Sequence, residues 1–206
     1  MNDLSIILAG KPGSGKDSQG NILSQNLPRL NHIVSSQLID EWKATGSPSA
    51  LAYESERAKG KLLTDDLMIK VFDEGIDRRV KNGIYAPGKD ILLLNGYPRT
   101  LDQAKARKLR VLDVLYLDVD DKICVERILS DAKRTNRKDN NEQVILERIA
   151  TFKKLTYPIL GYYQSIGVPV HSFDGNVTKH HLALDIIGHL QSFLPNYFPT
   201  SAVNRR

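Results

Sequence analysis

The chain has 206 residues, 41% of them hydrophobic, with 29 basic and 24 acidic side chains and a formal net charge of +5. That supplies one core of ordinary domain size and excludes a disordered chain. No apolar run approaches the roughly 20 residues that span a bilayer, and the N-terminus enters a strand pattern rather than a leader, so a cytoplasmic protein without a membrane partner is expected. The charges are interspersed, with neither a basic block nor an aromatic array, which argues against nucleic acid.

The first apolar run, residues 4–8, predicts a strand, and Gly10-Lys11-Pro12-Gly13-Ser14-Gly15-Lys16-Asp17-Ser18 follows it directly. Glycines there let successive backbone N–H groups curl inward, and the helix that follows offers its positive end to the same anion. Lys16 adds a mobile point charge for outer phosphates. The arrangement is a nucleotide-phosphate loop, with one offset: Asp17 stands where a hydroxyl residue usually follows the lysine, and the hydroxyl arrives as Ser18.

Further strands are predicted at 32–35, 90–94, 111–119 and 168–173, with helical spacing between them at Met68, Phe72, Ile76 and Val80 and at Ile145, Ile149 and Phe152. The last stripe, Leu182, Ile186, Leu190 and Phe193, closes the pattern, and all three stripes read as core contacts. Strand–helix alternation of this kind is an α/β fold, a three-layer P-loop type with a parallel sheet covered on both faces.

Residues 36–64 and 129–141 are polar and fit the sheet poorly, so both read as mobile inserts over the phosphate site; 195–206, with Pro195 and Pro199, reads as a loosely held tail. Cys124, the one cysteine, lies on an apolar face with Ile123 and Ile128 and reads as packing; it rules out an internal disulfide or a thiolate metal site. His180, His181 and His189 read as helix-surface and cap residues, since no fitting third ligand or carboxylate support is evident.

Three later segments complete a constellation: Gly60-Lys61-Leu62-Leu63-Thr64-Asp65 before a helix, Asn95-Gly96-Tyr97-Pro98-Arg99-Thr100 with Gln103 after a strand, and Arg127, Arg137 and Arg148 at intervals of 10 and 11 residues. With Thr156-Tyr157-Pro158-Ile159-Leu160-Gly161-Tyr162-Tyr163 and Asp174-Gly175, these resemble the adenylate kinase family of nucleoside monophosphate kinases over nearly the whole chain. The resemblance implies a five-stranded parallel core (1–34, 65–127 and 140–194), a monophosphate-binding flap (35–64), a short lid (128–139) and a monomer. It also implies Mg-dependent transfer of the terminal phosphoryl group of ATP to a nucleoside monophosphate, carried by positioning and charge neutralisation.

On this resemblance Gly13, Ser14, Gly15, Lys16, Asp17 and Ser18 hold the donor phosphates, with Ser18 beside Mg²⁺ directly or through water, and Arg127 stacks on the donor adenine. Arg99 clamps the acceptor phosphate near Ser35 and Gly96, while Arg137 and Arg148 close on the group in flight. Leu62 and Leu63 line the acceptor base pocket. Gln103, five residues after Pro98, stands where the family's adenine reader stands, and this favours AMP over another monophosphate.

The departures from the family pattern shift charge in one direction. Asp40 and Asp131 stand where the family carries arginines, Asn95 where it carries a magnesium-directed acid, and Asn140 replaces the second aspartate of a lid pair. Two lost arginine contacts, each worth roughly 1.5 to 3 kcal/mol, weaken turnover severely if uncompensated. The competing expectation is therefore a nucleotide-binding pseudokinase acting as a sensor or interaction module. A compensation reading is the counterpart: Asp17 supplies the carboxylate that Asn95 lacks, and Lys43 serves the acceptor phosphate in place of Asp40.

Overall fold

The computed structural model describes residues 3–46, 63–106, 109–135 and 141–200. Strands β1 (Leu4–Gly10), β2 (Leu30–Val34), β3 (Ile91–Asn95), β4 (Arg110–Asp118) and β5 (Val170–Asp174) form one sheet in the order β2-β3-β1-β4-β5, every pairing parallel. The described helices are α1 (Lys16–Asn26), α2 (Ser35–Lys43), α3 (Asp65–Lys81), α4 (Leu101–Ala106), α5 (Asp121–Thr135), α6 (Glu142–Thr151), α7 (Pro158–Ser165) and α8 (Lys179–Phe193), with a π-helical turn, Phe152–Thr156, between α6 and α7. No described helix is long and apolar enough to cross a membrane.

β1 is buried along its whole length, which explains its near-continuous apolar sequence: a central parallel strand must be apolar on both faces. Its alternation sorts the layers. Ile7 and Ala9 join Leu38, Trp42, Phe72, Ile159 and Tyr163 on the side of α2, α3 and α7, while Leu4, Ile6 and Leu8 join Leu23, Leu27, Leu182, Ile186 and Leu190 on the side of α1 and α8. A smaller cluster of Val119, Cys124, Val125, Ile145 and Ile149 joins α5 to α6. α3 carries Asp65 and Asp66 in its first turn and Arg78, Arg79 and Lys81 in its last, the distribution that opposes the helix dipole at each end. Arg79 grips Glu41 of α2 with both guanidinium NH groups, at 2.7 and 3.0 Å, and sets the angle of α2 on α3.

Several expectations change. Ser35 opens α2 instead of ending a strand. The insert expected over 36–64 begins as a packed helix, with Leu38, Ile39 and Trp42 buried; residues 47–62 lie outside the described residues. Likewise 129–135 continue α5, and 136–140 are not described. Val80 and Phe193, expected in the core, are 39% and 41% exposed; each lies in the last turn of its helix, beyond the buried part of its stripe. His189, expected on the surface, packs against buried Asp113. Beyond α8, Phe198 is 1% exposed within the Leu182–Leu190 layer, so the segment after Pro195 begins with an aromatic anchor rather than a loose end.

Candidate active site

From β1 the chain moves outward past β3 to β2, and from β3 it crosses over β1 to β4. The sheet order reverses between β1 and β3, so the crevice at their carboxyl ends is where such a fold binds ligands. Two segments meet there: the loop after β1 and Asn95–Arg99 after β3, aligned by the pairing of Leu8 with Asn95.

Gly13 is left-handed at φ 82°, and a Cβ on it would collide with the Cys124 carbonyl. The phosphate loop is thus wedged against α5, and Cys124 contributes through its backbone as well as its packing. Lys16 opens α1 and turns its ammonium back over the loop, donating to the carbonyls of Gly10 (2.7 Å) and Lys11 (2.8 Å) and to Ser14 Oγ (3.3 Å). Enclosure lowers its pKa to about 8; the nearby Asp17 carboxylate opposes the shift and the Arg99 and Arg148 guanidinium groups add to it. Ser14 is fully buried, while Asp17 and Ser18 are exposed at the mouth of the loop.

Asn95, at the end of β3, donates from Nδ2 to Asp17 Oδ1 at 2.6 Å and reaches His32 Nε2 at 3.2 Å. Since an amide nitrogen only donates, His32 accepts at Nε2 and carries its proton on Nδ1, which donates to Asn21 Oδ1 at 3.0 Å. Burial holds the His32 pKa below its ordinary value, consistent with a neutral ring. Gly20 makes room for it, because a Cβ there would overlap the imidazole. His32 and Asn21 carry no site motif in the sequence; the register of β2 on β3 brings His32 to Asn95, and α1 brings Asn21 to His32.

Arg99 donates from Nε to the Gly96 carbonyl at 2.9 Å and from its terminal nitrogen to Ser35 Oγ at 3.2 Å. Gly96 sits at φ 78°, where a Cβ would strike Ser35 Oγ. Three of the predicted acceptor-side residues, Ser35, Gly96 and Arg99, therefore form one contact group. Thr156, on the π-helical turn, donates its hydroxyl to the Arg99 carbonyl at 2.9 Å, bracing the same residue from the other side.

Gln103 is 2% exposed and does not line the cleft; its Oε1 accepts from the Arg99 amide at 2.8 Å and its Nε2 donates to Asp65 at 2.8 Å. Leu63 is 5% exposed in the core beside α3. Leu62 and Arg137 lie outside the described residues. Arg127 lines the cleft and donates to the Gly175 carbonyl at 2.9 Å, and Arg148 lines the cleft from α6. Asp40 and Asp131 line it too; Lys43 lies 3.9 Å from Asp40.

Another clamp carries no motif. Asp121, at the start of α5, accepts from Lys11 of the phosphate loop at 2.7 Å and from Lys153 of the π-helical turn. Those two hydrogen bonds hold its pKa below the ordinary carboxylate value. The cleft itself has a volume of about 1420 Å³, above the roughly 300 to 1,000 Å³ of a single small-molecule site.

Comparison with known proteins agrees with this geometry. The family model described as adenylate kinase matches residues 8–168. The chain is 32% identical over 171 residues to an adenylate kinase of Xanthomonas oryzae pv. oryzae, covering 80% of this chain and 87% of that protein. It is 30% identical to an adenylate kinase of Thermus thermophilus, with 80% and 85% covered, and 31% identical to adenylate kinase 1 of Schistosoma mansoni, with 77% and 79% covered. The glycine-rich loop with Lys16, and Arg99 across the cleft from it, thus stand within a matching sequence, and the chain belongs to the adenylate kinase family as an enzyme of the phosphotransferase, nucleoside monophosphate kinase type.

Proposed function

We propose that the enzyme transfers the terminal phosphoryl group of ATP to AMP, reversibly, to give two ADP. The observation that carries this reading is that Lys16, Arg99, Arg127 and Arg148, from four separate elements, line one cleft large enough for two nucleotides. Gly13, Ser14 and Gly15 offer backbone amides to the donor phosphates with Lys16, and Arg127 lies over the donor adenine. Arg99, fixed by Gly96, Ser35 and Thr156, binds the acceptor phosphate. Arg148 and Arg137 neutralise the group in flight. The acceptor phosphate is already anionic, so no general base is required.

The donor set beside Lys16, the Asp17 carboxylate and the Ser18 hydroxyl, is all oxygen and fits Mg²⁺. When bound, magnesium neutralises phosphate charge. Asp17 and Ser18 would hold it, with Asn95 orienting Asp17.

AMP is favoured by the register of Gln103, five residues after Pro98; its amide is turned onto Arg99 and Asp65 and would exchange one of those contacts to read the base. The enzyme acts as a cytoplasmic monomer with nucleotides alone as partners. The test is phosphoryl transfer from Mg-ATP to AMP, CMP, UMP and GMP in separate reactions, followed by nucleotide separation. ADP formation fastest with AMP supports the proposal; equal or greater turnover with another monophosphate overturns the assignment of acceptor.

A further inference from the structure

Away from the cleft, three chemistry-bearing side chains converge beneath α8. Asp113 of β4 has no exposed surface, and an imidazole takes each of its oxygens. His171 Nδ1, from edge strand β5, donates to Oδ1 at 2.9 Å, and His189 Nε2, from α8, donates to Oδ2 at 2.7 Å. Asp113 shares a face with Leu115, which pairs with His171. The two rings lie 4.2 Å apart between centroids, with Phe193 stacked on His189. Along β4, Asp113 lies ~16 Å from Asp118 at the strand's carboxyl end, so this group is separate from the nucleotide cleft.

Packing does not call for these residues. The layer around them is Leu115, Leu117, Ile186 and Leu190, where an aliphatic side chain would fit without the desolvation cost of a carboxylate. We propose that Asp113, His171 and His189 bind one divalent transition-metal ion of the zinc class. Two imidazole nitrogens and one carboxylate oxygen form a donor set for Zn²⁺ and its neighbours; Mg²⁺ and Ca²⁺ prefer oxygen throughout.

One ligand atom from each residue lies within 4.8 Å of the other two. Ligands of a tetrahedral zinc at about 2.0 to 2.1 Å stand roughly 3.4 Å apart. The present spacing therefore closes on an ion through side-chain shifts of about 1 Å, with the ion replacing the two N–H protons that now face Asp113. The His171 side chain is 37% exposed and that of His189 19%, which gives the ion a route from the outer edge of β5 and leaves its fourth position to water. Such an ion ties β4, β5 and α8 together.

The test is titration of the full chain, nucleotide-free and stripped by chelator, with Co²⁺, followed by its visible d–d absorption. Zn²⁺ displacement and the melting temperature are then measured on the same protein. The expected result is one equivalent of Co²⁺, displaced by Zn²⁺, and a melting temperature raised by Zn²⁺ and not by Mg²⁺. His171→Ala, chosen because the residue is partly exposed on an edge strand, weakens Co²⁺ binding by at least about tenfold. His181→Ala, on the surface beside Asp185, changes nothing. Absence of stoichiometric absorption in the wild type, or an affinity unchanged in His171→Ala, overturns the site. An equal melting shift with Mg²⁺ does so as well. The wild-type titration decides the matter even if His189→Ala or Asp113→Asn fails to fold.

Discussion

Asn95 Nδ2 lies 2.6 Å from Asp17 Oδ1, so the neutral residue at the end of β3 and the additional acid of the phosphate loop are direct partners. The amide fixes the carboxylate from one side while His32, held in one tautomer by Asn21, fixes the amide from the other.

The pair predicts an asymmetric response. Asp17→Gly lowers kcat/KM about 10- to 100-fold, the value of one charge-assisted contact. Asn95→Asp in the wild type gives no gain, because two carboxylates at this separation repel and one takes up a proton. In the Asp17→Gly background the same substitution restores activity. Steady-state kinetics of the two single variants and the double variant check this; a gain from Asn95→Asp alone contradicts it.

Lys16 predicts opposite pH effects on activity and stability. Below its value of about 8 the ammonium is charged and serves the donor phosphates; above that, kcat/KM falls as the charge is lost. The folded value is below the ordinary 10.5, so between the two the unfolded chain binds more protons and ligand-free stability rises with pH. Lys16→Met removes this cost together with the hydrogen bonds to Gly10, Lys11 and Ser14, so its stability relative to the wild type is highest below about pH 8 and declines toward about pH 10.5. Denaturant melts at several pH values, beside a pH profile of kcat/KM, measure both.

Gln103 ties the Arg99 backbone to Asp65 at the start of α3. Gln103→Met removes the acceptor of the Arg99 backbone amide and one of two donors to Asp65, which keeps the Thr100 hydroxyl, and destabilises the fold by about 1 to 3 kcal/mol. The expected kinetic signature is a KM for AMP raised about tenfold or more with the KM for ATP unchanged. Equal changes for both substrates contradict a role confined to the acceptor side.

Phe198 holds the chain beyond α8 to the sheet. Phe198→Ala costs about 3 to 5 kcal/mol of stability, measured by urea unfolding, and leaves kcat at low temperature unchanged because its layer is on the α1/α8 side, away from Arg99. A loss below 1 kcal/mol contradicts the anchor.

The phosphate loop was legible because strand, glycines, lysine and helix are contiguous, and their local geometry fixes the chemistry. Asp17 and Asn95 were individually legible as departures, but their contact depends on the register of β3 against β1. Asp113 and His189 were not connected because a carboxylate in a strand and a histidine in a helix carry no shared local pattern; only the packing of α8 over the β4–β5 edge joins them. Phe198 was hidden by the prolines around it, which suggest a loose segment while a single aromatic supplies the burial. The Lys11–Asp121–Lys153 clamp was missed for a similar reason, since each residue alone resembles an ordinary surface charge.

Phosphoryl transfer between two nucleotides in this cleft is tested by giving the enzyme Mg-ADP alone and separating the nucleotides over time, with Lys16→Ala prepared identically to expose contaminating kinase. Equal amounts of ATP and AMP are expected from the wild type, with at least a hundredfold slower formation from the variant. ADP left unconverted by the wild type, or the same rate in both proteins, contradicts it.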